Sequence, residues 1–292
     1  MAADTTPATE DAASEETAFG LPSASTLGTH AALVVATVIV ALPLLLAVVM
    51  STETTTQIYT GSLFGVGSHA VANYRGALFD YGMARYLLNS LVMSVLVVVG
   101  KVTISLLAAL ALVYYEFRFE RGVFLAVLFT LMLPVPVRIL PLFDMLASLH
   151  LTDTLAAVTL PYLASATVVF LLRQHFRSLP DSLAESARLD GVGPLTFLVY
   201  VLVPLSKEML AGVAVIEYIY AWNQYLWPLV VIQHQNEQLV QVGVKHLQSA
   251  GSAGQTQWGL IMAGAVLALL PPLVVLVALR KPLLSTFGVS AE

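Results

Sequence analysis

The chain has 292 residues, of which 58% are apolar and 11% charged, against roughly 45–50% and about 25% in soluble domains; this excludes a water-soluble globular protein and makes it a membrane protein. The formal net charge of -5 implies no acidic or nucleic-acid-binding surface, because Asp4, Glu10, Asp11, Glu15 and Glu16 in the first 16 residues supply the excess. With no cysteine, disulfides, thiolate catalysis and thiolate-bound metals are excluded as well.

The opening 30 residues are rich in Ala, Thr, Ser and Glu and poor in large aliphatics, so a disordered acidic tail is expected there. It has no basic n-region, and the apolar run that follows is too long for a signal-peptide core, so the first helix is expected to stay in the protein. About 20 apolar residues cross the hydrocarbon layer. Six runs meet that length: about 31–50, 86–115, 122–142, 154–173, 207–232 and 258–279. Helices are the only form such runs can take in lipid, so the expected fold is an all-α polytopic domain over 31–285. The segments 51–85 and 233–257 are longer polar connections, and no internal repeat stands out.

Basic residues orient the chain. With the N-terminus inside, Arg118, Arg121, Arg173, Arg177, Arg188, Lys207, Arg280 and Lys281 fall on the inner side and only Arg75, Arg85 and Lys245 on the outer, which favours both termini cytoplasmic. The charged stretch 178–207 is then the largest cytoplasmic loop. Ser182 and Glu185 have the spacing of a capping box, Gly191 suits the position past a last helical turn, and Gly193-Pro194 suits the start of a second short helix. Leu183, Ala184 and Ala187 form a small apolar face, with Glu185 and Arg188 together on another.

The run ESARLDG from Glu185 to Gly191, nine further residues, and VLVP ending at Pro204 resemble the EAA signature of permease subunits from binding-protein-dependent ABC importers. The pattern is E-A-A-x-x-x-G, nine residues, I-x-L-P; Ser186, Val201 and Val203 depart from it conservatively. Segments such as ANYRGALF, IYAWNQYLWPLVV and WGLIMAGAVLALLPPLVVL extend the likeness over about residues 70–285, to the MalG-type carbohydrate permeases and among them the E-type permeases of sn-glycerol-3-phosphate uptake.

The resemblance implies a type I importer permease with the MetI-like fold. Its cargo would be sn-glycerol-3-phosphate or a glycerophosphodiester, with a di- or oligosaccharide as the alternative. Its partners would be a homologous permease, two ATPase subunits carrying the ATP and Mg, and an extracytoplasmic solute-binding protein. No cofactor is expected in this chain. Glu185, Ser186, Ala187, Arg188, Asp190, Gly191 and Pro204 would form the coupling loop seated in the ATPase, with the small face at Ala184 and Ala187 permitting close helix-in-groove contact.

Ionisable groups within spans are functional candidates because each costs a few kcal/mol there. Lys101 and Arg138 could attract a phosphate, or one of them could pair with Glu217 inside the bundle. Asn89 and Asn223 could line a polar path or tie helices together. Trp222 and Trp227 are expected as aromatic-belt anchors near the outer end, with Trp258 opening the sixth span from the same side, and Pro271-Pro272 should bend that span. There is no P-loop signature, so ATP hydrolysis must come from another chain. A membrane enzyme would need clustered catalytic groups, yet the six histidines are scattered and no H-E-x-x-H occurs; a secondary transporter would need inverted repeats.

Overall fold

The computed structural model describes residues 24–61, 67–249, 256–281 and 283. The acidic tail expected over 1–30 lies outside these residues up to position 23, and helix α1 (Ala24–Met50) already includes the last seven of its positions. The chain forms two units, Met1–Leu45 and Leu46–Glu292. The first contributes the described start of α1.

The polar segment after α1 holds two helices that its composition did not announce. Helix α2 (Thr55–Thr60) opens with a complete capping box between Thr54 and Gln57 and closes at Gly61, whose φ of 90° places it in the left-handed region. Helix α3 (Ala70–Arg75) runs on into a wide turn over Gly76–Asp80. Asn73 ties it back by donating from Nδ2 to the carbonyls of Ser51 and Glu53, both at 2.9 Å.

Helix α4 (Met83–Tyr114) is the central span. Met83, Tyr86, Ser90, Met93, Ser94, Val97, Lys101, Ser105 and Ala109 recur three or four residues apart and are buried, while Leu88, Leu91, Val95, Leu96 and Val99 are exposed. The small and polar stripe therefore faces the bundle and the aliphatic face looks outward. That arrangement is the one lipid favours, since small residues let helices approach closely.

Three of the six expected runs are not single rods. Helix α5 (Glu120–Phe129) gives way to α6 (Val135–Ser148) through a 104° bend, because Pro134 and Pro136 can start a helix but cannot continue one. Helix α7 (Leu155–Thr159) and its 3-10 extension to Tyr162 meet α8 (Ala166–Arg177) at 42°, where Ser165 caps α8 by accepting from the Val168 N–H. After α9 (Asp181–Leu189) come α10 (Pro194–Phe197), a wide turn to Leu202 and α11 (Val203–Leu205); an 83° bend at Ser206 then leads into α12 (Lys207–Trp222).

The run expected as 207–232 divides at Asn223–Tyr225. Pro228 has no N–H and fits only in a first turn, so α13 (Leu226–Val231) begins afresh around it. Helix α14 (Val240–Gln248) and the final helix α15 (Trp258–Ala278) complete the chain. Among the described residues there are three continuous helices long and apolar enough to span, and six if each bent pair is one crossing. The fold is all-α.

Helix α4 packs chiefly on α8 and α12, and three apolar clusters stack along it. One end joins Met83 and Tyr86 to α14 and α15. The middle joins Met93 and Val97 to Leu146, Val158 and Trp227. The other end joins Ala109 and Leu110 to Leu172, Phe176, Phe197 and Leu202.

Trp222 and Trp227, expected at a membrane surface, are each 1% exposed. Trp222 Nε1 donates to the Ala268 carbonyl at 3.0 Å and Trp227 Nε1 to the Ala157 carbonyl at 2.9 Å. Ala268 and Ala157 stand four residues before Pro272 and Pro161, the positions whose carbonyls lose their helical partner to a proline. Helix α15 thus continues through Pro271 and Pro272, with an indole supplying one missing donor. Trp258 reaches the Tyr59 hydroxyl at 2.9 Å.

Candidate functional site: a loop helix and a polar file

The signature loop folds as the two short helices its sequence suggests, with a different start. Pro180 occupies the cap position of α9 and no side chain caps it, so Ser182 and Glu185 form no capping box. A proline at the cap fixes the entering backbone, and Asp181 lies in the first turn where a carboxylate suits the helix dipole. At the far end the Gly191 N–H bonds the Arg188 carbonyl at 3.1 Å and the Val192 N–H bonds the Ala187 carbonyl at 2.9 Å. These two bonds, with Gly191 at φ 69°, form a Schellman ending. Gly193 and Pro194 then start α10.

The faces of α9 differ from the expectation. Ala184 and Ala187 turn inward and pack on the cluster that holds Phe176 and Phe197, so they are not free to meet a partner. Arg188 does not lie against Glu185; its Nη2 donates to the Tyr114 carbonyl at 2.6 Å and ties the loop helix to the end of α4. What faces outward is Glu185, Ser186, Leu189 and Asp190, with Leu189 88% exposed. Pro204 is exposed in α11, two residues before the bend at Ser206.

Of the ionisable residues within the helices, the three that the sequence singled out, Lys101, Arg138 and Glu217, separate into two roles. Lys101 Nζ and a Glu217 oxygen meet at 2.5 Å, with the residues 3% and 8% exposed. Ser165 reaches the other Glu217 oxygen at 3.4 Å, and Lys101 sits 4.7 Å from the centre of the Tyr220 ring. This pairing joins α4, α12 and the start of α8, and leaves Lys101 no free charge for a passing ligand. Arg138 is different: it is exposed and makes no hydrogen bond or ion pair among the described residues.

Arg138 lines a groove of about 400 Å³ with Val137, Met145, Tyr162 and Trp227. The Tyr162 hydroxyl donates to Gln224 Oε1 at 3.0 Å, and its ring meets Tyr220 edge-on at 6.4 Å between centres. Gln224 was an amide the sequence offered for tying helices or lining a path, but Tyr162 and Tyr220 were not singled out; a tyrosine after a proline within an apolar run carries no signal of its own.

The two asparagines are structural in different ways. Asn89 Nδ2 donates to the carbonyls of Asn236 and Gln238, both at 3.0 Å, and so holds the connection before α14. Asn223 accepts from Gln241 Nε2 at 3.3 Å and lines a second groove, of about 450 Å³, between α12, α14 and α15 beside Pro272. The connection before α14 is also held by Asp153, which accepts from the N–H groups of Gln233 and His234 and lies 3.2 Å from the His234 ring. Partial burial pushes the Asp153 carboxyl up, but the two N–H donors and the His234 ring outweigh it and leave the group below the usual carboxylate range.

Bent and straight helices apolar enough to span, with a loop helix that turns a polar face outward, make a polytopic membrane protein with an exposed cap at one end. The chain belongs to the family of binding-protein-dependent transport system inner membrane components, whose model matches residues 101–283. It is therefore a multi-pass membrane subunit.

The sn-glycerol-3-phosphate transport system permease protein UgpE of Pectobacterium atrosepticum is 39% identical over 260 residues, covering 86% of this chain and 92% of the relative. The protein of that name from Escherichia coli O157:H7 is 38% identical over 264 residues, covering 88% and 93%. A solved bacterial ABC transporter involved in the import of the acidic polysaccharide alginate contains a chain that aligns with a TM-score of 0.79 at 22% identity, over 90% of this chain and 99% of that one. That likeness shows the fold of an ABC importer permease.

Proposed function

We propose that this chain forms half of the translocation pathway of an ATP-driven importer for sn-glycerol-3-phosphate or a glycerophosphodiester. The observation that carries the cargo is the 39% identity to UgpE over nearly the whole of both chains. The other half is a homologous permease, an extracytoplasmic solute-binding protein delivers the ligand, and two ATPase subunits supply the energy with their own ATP and Mg. This chain has no P-loop with which to do so.

The ATPases dock at the end of the bundle that carries α9. The excess of Lys and Arg at that end, from Arg118 to Lys281, makes it cytoplasmic, and both termini with it. The outward face of Glu185, Ser186, Leu189 and Asp190 is the contact, an exposed leucine ringed by polar groups. Behind it Ala184, Ala187 and Arg188 lock α9 to α4 and α8, so movement of the ATPase passes into the bundle through packed side chains rather than a loose loop. Alternating access follows as the bent pair of α11 and α12 rocks.

The test is ATP-dependent uptake of labelled sn-glycerol-3-phosphate into liposomes holding the complete four-component complex with its binding protein. Uptake that needs both ATP and the binding protein, and that unlabelled maltose does not compete, supports the reading. Uptake of the sugar in place of the phosphate ester contradicts it.

A further inference from the structure

We propose that Arg138, with the Tyr162 hydroxyl beside it, is the station where this half of the pathway contacts the phosphate of its cargo. The inference rests on the reading of the chain as an importer of phosphate esters and adds the residues that read the charge.

Of Lys101, Arg138 and Glu217, the three ionisable side chains singled out within the spans, two neutralise each other, and the buried Arg173 is likewise answered by Glu120 at 3.6 Å. Lys101 and Glu217 are buried at 2.5 Å, with Ser165 on the free carboxylate oxygen and the Tyr220 ring against the ammonium. A phosphate could take Lys101 only by leaving Glu217 unpaired in a buried place, which costs several kcal/mol. Arg138 carries no such obligation. Its guanidinium has no counter-charge among the described residues, and no Asp or Glu is among the residues lining its groove.

An exposed arginine on an apolar face is costly against lipid, so the face it occupies must meet either a carboxylate or a passing anion. The groove supports the second. Its 400 Å³ is the size of a small-molecule site, and its walls are Val137, Pro141, Met145 and Trp227, which strengthen any charge contact made between them. Guanidinium takes a phosphate through two parallel hydrogen bonds, where a neutral sugar offers it no charge. Tyr162 puts a hydroxyl on the same wall; its one proton is donated to Gln224, so it serves an anion only by turning from Gln224 to the phosphate. It is held in place by Gln224 at 3.0 Å and by the edge of the Tyr220 ring. Tyr220 in turn rests on the locked Lys101, so the buried ion pair acts as a fixed backing for the station rather than as part of it.

The experiment uses the reconstituted four-component complex and its loaded binding protein, with Arg138→Gln, Arg138→Lys and Tyr162→Phe. Charged hydrogen bonds of about 1.5–3 kcal/mol correspond to roughly 10- to 150-fold. Arg138→Gln is expected to slow uptake of sn-glycerol-3-phosphate about tenfold or more, and Arg138→Lys to recover most of it by keeping the charge. Tyr162→Phe is expected to lose about two- to fivefold, the net of exchanging its bond to Gln224 for one to the phosphate. Uptake by Arg138→Gln within twofold of the parent overturns the station while leaving the cargo reading intact. Failure of both Arg138 variants to co-purify with the partner permease overturns it too, because the arginine then serves a carboxylate between subunits. A parent complex that imports sugars and no phosphate ester overturns the cargo reading and the station with it.

Discussion

Trp222 stands in for the backbone donor that Pro272 lacks. Its Nε1–H reaches the Ala268 carbonyl at 3.0 Å, four residues before the proline, and the indole is 1% exposed. Trp227 does the same for the Ala157 carbonyl ahead of Pro161 at 2.9 Å. Helix α15 is thereby carried past its prolines, and the turn that ends α7 past Pro161, with neither carbonyl left bare; each repair comes from a different segment of the chain.

Removing that donor has a defined cost. Trp222→Phe keeps much of the packing and strands the Ala268 carbonyl, so it should destabilise the protein by about 1–3 kcal/mol. Pro272→Ala restores a helical N–H at the same carbonyl, so the double variant should be more stable than Trp222→Phe alone. Thermal unfolding in detergent checks this through a double-mutant cycle. Additive losses would show that the indole and the proline are unrelated.

The Lys101–Glu217 pair behaves as a unit. Lys101→Met or Glu217→Gln leaves one buried group without its partner, and Lys101→Met should cost about 3–5 kcal/mol because it leaves the carboxyl unpaired in a buried place. Combining Lys101→Met with Glu217→Leu should recover most of the loss. The measurement is the thermal midpoint of each purified variant. Normal stability in Lys101→Met would mean that the pair does not form in the membrane.

Gly191 is needed for its backbone and not for space. No atom lies within 4 Å of where a Cβ would stand, yet φ is 69°. Gly191→Ala should therefore cost about 1 kcal/mol and Gly191→Asn less, since Asn tolerates the left-handed region. Gly191→Val should be worst and should also uncouple ATP hydrolysis from uptake, because the Schellman ending sets the angle between α9 and α10. Thermal midpoints in the order Gly, Asn, Ala, Val check the claim; equal midpoints would contradict it.

Asp153 gives the connection before α14 an acid-sensitive tie. Its folded carboxyl titrates below the usual range, so its stabilising effect is complete above the unfolded value of about 3.9 and is lost as pH falls through the lower folded value. The stability difference between the parent and Asp153→Asn should shrink as pH falls below about pH 4. A difference that grows in acid would reverse the sign and contradict the arrangement.

Much of this was legible in the sequence. Apolar length marked where long helices lie but not where they break, and Gly191 and Gly193-Pro194 marked where α9 ends and α10 begins, because those signals are local and steric. The start of α9 was misread because a Ser-x-x-Glu spacing competes with a proline that fixes the backbone one residue before the helix. Ala184 and Ala187 were assigned to a partner because small size permits close approach on either side, and only the fold decides which. The roles of Trp222 and Trp227 were hidden for another reason: each answers a carbonyl 46 or 70 residues away. Sequence offered the pairing of Lys101 with Glu217 as one of two readings, and their 116-residue separation left the choice to the packing of α4 on α12.

The central claim is that α9 carries motion from a separate ATPase into this subunit through its outward face. Glu185→Lys reverses the charge at the middle of that face without touching the inward Ala184 and Ala187. The most direct measurement is uptake and ATP hydrolysis by the same reconstituted complexes carrying Glu185→Lys. The account predicts a complex that inserts and assembles in the membrane but loses uptake per ATP hydrolysed by at least about tenfold, the scale of a charged contact. Uptake and its ratio to hydrolysis at the parent value would contradict it.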